Sequence, residues 1–254
     1  MGEEHFWVPP LFFVLLVIYT IAMKLWLVRV NRLFVQQLLS EFDGDGVPTV
    51  TFVLAHPTDE TYFFTPTFEV LTRSPYVAQH ELKIRLLVLS KGKYVGRGDE
   101  RTFEMEAVCN MYNVLCTIMD EPYTQEGPQF WDTEQIATQV EDFLKQHESQ
   151  VVITFDQYGA DSDPNHISTF HAVNSLKEKM PDLRIWALRT YGVLTTYSAP
   201  FALTRATVAR PSATTFTFSS TNRNSRLHVS SWTWKTPFHT FFSSYSYANS
   251  YLCL

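Results

Sequence analysis

Hydrophobic positions along the chain fall into short solid runs separated by stretches of mixed character. This is the pattern of strands buried on both faces with amphipathic helices between them. Residues 50–55 (Val-Thr-Phe-Val-Leu-Ala) form one such run, which stops at His56-Pro57-Thr58-Asp59-Glu60. Pro57 cannot donate to a ladder, so the strand ends there and His56 and Asp59 fall in the following turn. A second run, residues 150–156, ends in the same way, and its polar turn carries Asp161, Asp163 and His166. Further strands are predicted over 83–90, 114–120 and 183–191. Helices are predicted over 61–73, 99–113, 133–147 and 165–179, with Asp132 or Thr133 capping the third. The alternation predicts an α/β domain with a mainly parallel sheet and helices on both faces.

Both ends of the chain break this alternation. Residues 6–23 are almost continuously apolar and 25–28 prolong the run beyond Lys24; about 20 such residues cross a bilayer. Glu3 and Glu4 precede the run and Lys24, Arg29 and Arg32 follow it, so the positive-inside rule puts the bulk of the chain in the cytosol. A cleaved signal peptide would have a basic start and a small-residue cleavage site, and neither is present. The predicted organisation is a single N-terminal transmembrane helix over 1–30, a connector over 31–47 that closes in a Gly- and Pro-rich turn, and a domain over 48–254. Residues 211–226 read as a Ser/Thr/Asn-rich loop. From His228 onward the tail is dense in Trp, Phe and Tyr, which either pack on the core or meet a membrane surface.

Length and charge narrow the function. The chain has 254 residues, enough for one α/β domain with appendages, and its net charge of -6 argues against nucleic acid. Cys109, Cys116 and Cys253 lack CxxC spacing and read as reduced, mostly buried cysteines. The loop over 91–98 is Gly-rich but has neither a dinucleotide fingerprint nor a P-loop, which removes support for nucleotide binding. The two strand ends are the remaining candidate chemistry. His56, Asp59 and a third ligand from the second turn would form an N/O site with an open position, as in catalytic zinc; a His-Pro after a strand is more often an ordinary turn than a ligand. Arg101 and Glu104, three residues apart on one helix face, suit an ion pair.

Taken together, Ala55-His56-Pro57, Asp59-Glu60, Phe63-Phe64, Pro66, Ser90, Gly92, Tyr94, Gly98, Arg101, Glu104, Trp131-Asp132-Thr133-Glu134 and Asn165-His166-Ile167 resemble a known family. It is the family of zinc-dependent LmbE-like deacetylases, and within it the N-acetylglucosaminyl-phosphatidylinositol de-N-acetylases of GPI-anchor biosynthesis. His228, Trp234 and Phe242-Ser243-Ser244-Tyr245 extend the similarity into the tail. The resemblance implies a Rossmann-like fold and a zinc ion, or another divalent metal, held by His56, Asp59 and His166. It further implies a glycolipid substrate, N-acetylglucosaminyl-phosphatidylinositol, deacetylated at the cytosolic face of the endoplasmic reticulum membrane. Arg101 would then meet a phosphate or anchor its loop through Glu104. Asp156 would support His56 or His166, and His228 would approach the substrate.

Two positions depart from the family's pattern. The usual general base is replaced by Thr58, and the usual helper histidine by Asp163. A hydroxyl cannot take a proton at neutral pH, and a positioned base contributes about 10²–10⁴-fold in rate. Either Asp163 has become the base, or it closes the metal's open position and the chain is a catalytically silent homologue that acts as a binding or regulatory partner of another protein.

Overall fold

The computed structural model describes residues 10–40, 42, 47–73, 75–93, 96–190, 192, 214–217 and 249–253. The predicted strands form one sheet: β1 (Thr49–Leu54), β2 (Lys83–Val88), β3 (Leu115–Ile118), β4 (Val151–Phe155) and β5 (Arg184–Leu188). All five pair in parallel. β6 (Thr214–Thr217) and β7 (Asn249–Cys253) extend the sheet antiparallel, giving the order β3-β2-β1-β4-β5-β7-β6. β6 lies within the stretch expected to be a loop. Its Thr-Thr-Phe-Thr sequence is rich in β-branched residues that suit a strand, a local preference the surrounding Ser and Asn obscure.

β1 and β4 are buried along their whole lengths, as their unbroken apolar runs require. Their threonines are satisfied internally: Thr51 Oγ1 lies 2.6 Å from Ser149 Oγ, and Thr154 Oγ1 donates to Val53 O at 2.8 Å. β2 and β4 lie on opposite sides of β1, so the strand order reverses there and a crevice opens at the carboxyl ends of β1 and β4.

Helix boundaries follow local chemistry. Asp132 caps α6 (Thr133–Gln146), accepting from Glu134 N and Gln135 N at 3.0 and 3.3 Å. Asp163 caps α8 (Pro164–Lys179), where Pro164 occupies the first helical position and loses nothing by lacking an N–H. α5 (Gly98–Tyr112) ends at Asn113 in the left-handed conformation. The single helix expected over 61–73 is divided between α2 (Asp59–Tyr62) and α3 (Thr65–Arg73), and a further short helix, α4 (Pro75–Gln79), follows it. A proline is tolerated only in a helix's first turn, and starting α3 at Thr65 puts Pro66 there. The last short helix of the fold, α7 (Gly159–Ser162), contains Ala160 at φ 61° and is a tight turn rather than a regular helix.

α1 (Pro10–Ser40) runs without a break across the expected boundary at residue 30. Val35 and Leu38, near its end, join the core, whereas every side chain from Leu11 to Ile18 is between 39% and 66% exposed. Counted over the described residues, no helix is long and apolar enough to cross a membrane.

Cys109 and Cys116, expected to be reduced, form a disulfide with Cα atoms 6.3 Å apart. The turn that ends α5 and leads into β3 folds the chain back, so cysteines seven residues apart in sequence meet.

Phe52 anchors the core beneath α3, stacking on Phe68 with centroids 4.4 Å apart and meeting Phe64 edge-on at 5.7 Å. Phe52→Ala should destabilise the domain by about 3–5 kcal/mol, read as a lower urea midpoint at unchanged slope.

Candidate metal centre

The turn after β1 is built around two buried carboxylates. Asp59 Oδ2 accepts from the backbone N–H groups of Ala55 and His56 at 3.1 and 2.8 Å, which leaves Oδ1 uncommitted. Glu60, fully buried, accepts from Thr58 N at 2.9 Å and from the Thr61 hydroxyl at 2.9 Å. Between them Thr58 is held at φ 104°, a left-handed conformation that a β-branched residue adopts only under strain.

β4 and the start of α8 supply the opposite wall. His166 stacks on Phe155, centroids 4.0 Å apart and planes 10° apart, with Phe63 against it edge-on at 5.5 Å. Its Nδ1 lies 3.0 Å from both Gly159 O and Asp161 Oδ1. Both are acceptors, so Nδ1 carries the proton. His166 Nε2 is buried without a hydrogen-bond partner, 3.4 Å from Asp59 Oδ1. His56 Nδ1 stands 3.9 Å from Asp59 Oδ2, and His56 Nε2 is 3.0 Å from Asn165 Oδ1.

A lone pair on Nε2 and a carboxylate oxygen repel unless a cation joins them. Two ligands each about 2.0–2.2 Å from a tetrahedral ion stand about 3.4 Å apart, so the observed spacing fits a metal. His56, Asp163 and His166 offer ligand atoms that all lie within 4.8 Å of one another. The sequence-predicted set named Asp59 rather than Asp163; both carboxylates adjoin the two imidazoles. The residues present therefore fit a divalent ion with nitrogen and oxygen ligands. Burial alone would raise the Asp59 pKa, but His166 and His56 hold the carboxyl far below its ordinary range. Burial likewise opposes charge on His166, yet Asp59 and Asp161 hold its proton well above the ordinary imidazole range. Both directions describe one buried pair whose gap a proton or a metal must bridge.

The remaining candidates have other partners. Arg101 does not rely on Glu104. Its Nη1 pairs with Glu126 at 2.8 Å and donates to Gly92 O at 2.8 Å, while Nη2 donates to Pro57 O at 2.7 Å and lies 3.4 Å from Thr58 Oγ1. Arg101 is thus a clamp that joins three loops at the edge of the site. Asp156 supports neither histidine; it accepts from Thr190 N at 2.6 Å, Thr190 Oγ1 at 2.5 Å and Tyr158 N at 3.0 Å, fixing the end of β5. Its direction is set by the turn after β4, which sequence alone does not reveal. Asp161 holds His166 instead; its place five residues before that histidine was the available signal. Glu126 carried no signal, being unrelated to Arg101 by helical spacing. His228 lies outside the described residues.

Thr58→Gly should relieve the strain at residue 58. The variant should gain about 1 kcal/mol, which raises the melting temperature by about 2–4 °C at this size; a lower melting temperature would count against the strain.

Known proteins share this fold. The N,N'-diacetylchitobiose deacetylase from Pyrococcus horikoshii shares the fold at a TM-score of 0.50 and 15% identity, covering 88% of this chain and 92% of that one. A triple mutant of a deacetylase of teicoplanin biosynthesis does so at 0.53 and 11%, covering 81% and 97%. The probable N-acetylglucosaminyl-phosphatidylinositol de-N-acetylase of Schizosaccharomyces pombe is 28% identical over 60% of this chain and 61% of its own length. The probable enzyme of Dictyostelium discoideum is 35% identical over 50% and 48%. The matched region thus spans about half to three-fifths of these relatives. Residues 51–177, half of the chain, match the family described as PIG-L, GlcNAc-PI de-N-acetylase, and by that match the chain belongs to this family.

Proposed function

We propose that this protein is a metal-dependent amide hydrolase that removes acetate from N-acetylglucosaminyl-phosphatidylinositol, the second step of GPI-anchor biosynthesis. The observation that carries this reading is the buried, unpartnered Nε2 of His166 facing Asp59 Oδ1 at 3.4 Å, with His56 Nδ1 3.9 Å from the same carboxylate. The names of the relatives support the substrate.

His56, Asp59 and His166 would hold the ion, zinc being the first choice for two imidazoles and a carboxylate. When bound, it supplies a Lewis acid that polarises the acetamide carbonyl and acidifies the attacking water. The chain itself moves the protons. Asp163 gives Oδ1 to Asn165 N at 2.7 Å as the cap of α8, which leaves its second oxygen to accept a proton from the attacking water. The water oxygen bonds to the acetamide carbon, and the proton, returned to the leaving nitrogen, completes cleavage of the C–N bond to a free amine and acetic acid, which ionises to acetate. Thr58 has no part in this transfer; its hydroxyl lies against the Arg101 guanidinium.

A second reading has its own observation. Asp163 also belongs to the ligand set, and an Asp163 bound as a fourth ligand would close the site. The protein would then be a silent homologue that binds the glycolipid or regulates a protein partner.

We also infer attachment to the endoplasmic reticulum membrane with the domain facing the cytosol. The support is the exposed apolar row from Leu11 to Ile18 together with the basic residues that follow it. Deleting residues 1–30 should release the protein from membranes into the soluble fraction; a truncated protein that still sediments with them would end this reading.

The activity test is turnover of N-acetylglucosaminyl-phosphatidylinositol by zinc-loaded protein beside Asp163→Asn and Thr58→Asp variants. The expected result is turnover that falls at least about 10²-fold in Asp163→Asn with zinc retained. Silence of the unaltered protein, relieved when Thr58→Asp is combined with Asp163→His, would establish the second reading instead.

A further inference from the structure

The Asn165 side chain is fully buried, and its two contacts with the backbone have a fixed polarity. Its Oδ1 accepts from Gly127 N at 3.2 Å, and its Nδ2 donates to Gln129 O at 2.8 Å. A backbone N–H can only donate and a carbonyl can only accept, so these two contacts determine which end of the amide is oxygen. That oxygen also lies 3.0 Å from His56 Nε2. An amide oxygen only accepts, so Nε2 must carry the imidazole proton. Nδ1 is thereby left with its lone pair on the side of Asp59 and His166.

We propose that Asn165 is a positioning residue that fixes the tautomer of His56 and so presents Nδ1 to the metal, while tying that ligand to the loop over 127–131. The same loop bears Trp131, which meets the His56 ring edge-on at 5.7 Å, while its backbone N–H donates to Ser168 Oγ at 3.0 Å and its indole N–H to Gln125 O at 2.9 Å. The ring of His56 is thus set in angle by Trp131 and in protonation by Asn165. His166 has the same design, with Gly159 O and Asp161 fixing its Nδ1–H and freeing Nε2. The two histidines therefore present opposite ring nitrogens to one point. A neutral histidine without a fixed partner divides between tautomers, and loss of such an outer partner lowers metal affinity about 10–100-fold.

The inference rests on the metal reading, and the test separates the two. In the full-length protein, long-range ¹H–¹⁵N spectra of the metal-free form report which His56 nitrogen is protonated. Competition with a chromogenic chelator reports zinc affinity for the unaltered protein, Asn165→Asp and Asn165→Leu. A carboxylate can still accept from Nε2, so Asn165→Asp should retain zinc within about threefold. Asn165→Leu should weaken it about 10–100-fold and populate the Nδ1–H tautomer of His56. A His56 protonated at Nδ1 in the unaltered protein overturns the proposal, whether or not the leucine variant folds. So does zinc affinity in a folded Asn165→Leu variant that stays within threefold. Absence of zinc binding in the unaltered protein, with His56 still protonated at Nε2, would fail the metal reading while the tautomer assignment stood.

Discussion

Two acceptors face each other 3.4 Å apart in a buried site: the unpartnered Nε2 of His166 and Oδ1 of Asp59. Nothing in that arrangement is stable without a positive charge between them, because burying two uncompensated polar groups costs several kcal/mol. The surrounding contacts are the reason neither group can turn away. Two backbone N–H groups hold the other oxygen of Asp59, and Gly159 and Asp161 hold the other nitrogen of His166, whose ring is pressed flat on Phe155. The sheet makes this possible by seating β1 and β4 side by side, so that His56 and Asn165, 109 residues apart in sequence, share one crevice.

The rigidity of that crevice extends to residues that do no chemistry. Arg101 spreads its guanidinium over Pro57 O, Gly92 O and Glu126, joining the turn after β1, the loop after β2 and the loop before α6. A lysine, with one compact ammonium, could not make all three contacts in one plane. Gly92 is required at its position: it has φ +66°, and an added Cβ would collide with the Arg101 side chain. Thr58 sits inside this frame, held by Glu60 below and Arg101 beside it, which explains how its left-handed backbone persists.

Much of the scaffold was legible in the sequence because strands buried on both faces leave little ambiguity. The runs at 50–55 and 150–156 became β1 and β4, and Asp132 capped α6 as its position suggested. What escaped was three-dimensional. Pro66 sits within an apolar helical pattern, and only its placement in a first turn splits the segment. Residues of opposite charge 25 apart, Arg101 and Glu126, carry no periodic relation, and neither do Asp156 and Thr190. Cys109 and Cys116 meet only because the chain reverses at Asn113. The histidines of the centre were legible from the polar residues that end each strand. The partners that fix their protons were not, since hydrogen bonds to backbone carbonyls and buried amides leave no mark in a linear pattern.

The remaining question of activity comes down to a single oxygen atom. Asp163 caps α8 through the amide of Asn165 and stands in the candidate ligand set, and on the proposed reading it would also take a proton from the attacking water. The cap holds one oxygen, and α8 needs it because the first N–H groups of a helix have no partner within the helix. The second oxygen can take a proton or bind the ion, and it cannot do both at once. Proton acceptance leaves the ion an open position for the acetamide; ligation fills that position with a group that no substrate oxygen would readily displace. Thr58 tips neither outcome, since its hydroxyl is neutral and lies against a cation. The distinction between a working deacetylase and a binding homologue is therefore a local one, set at the end of α8 and not by the fold that the two would share.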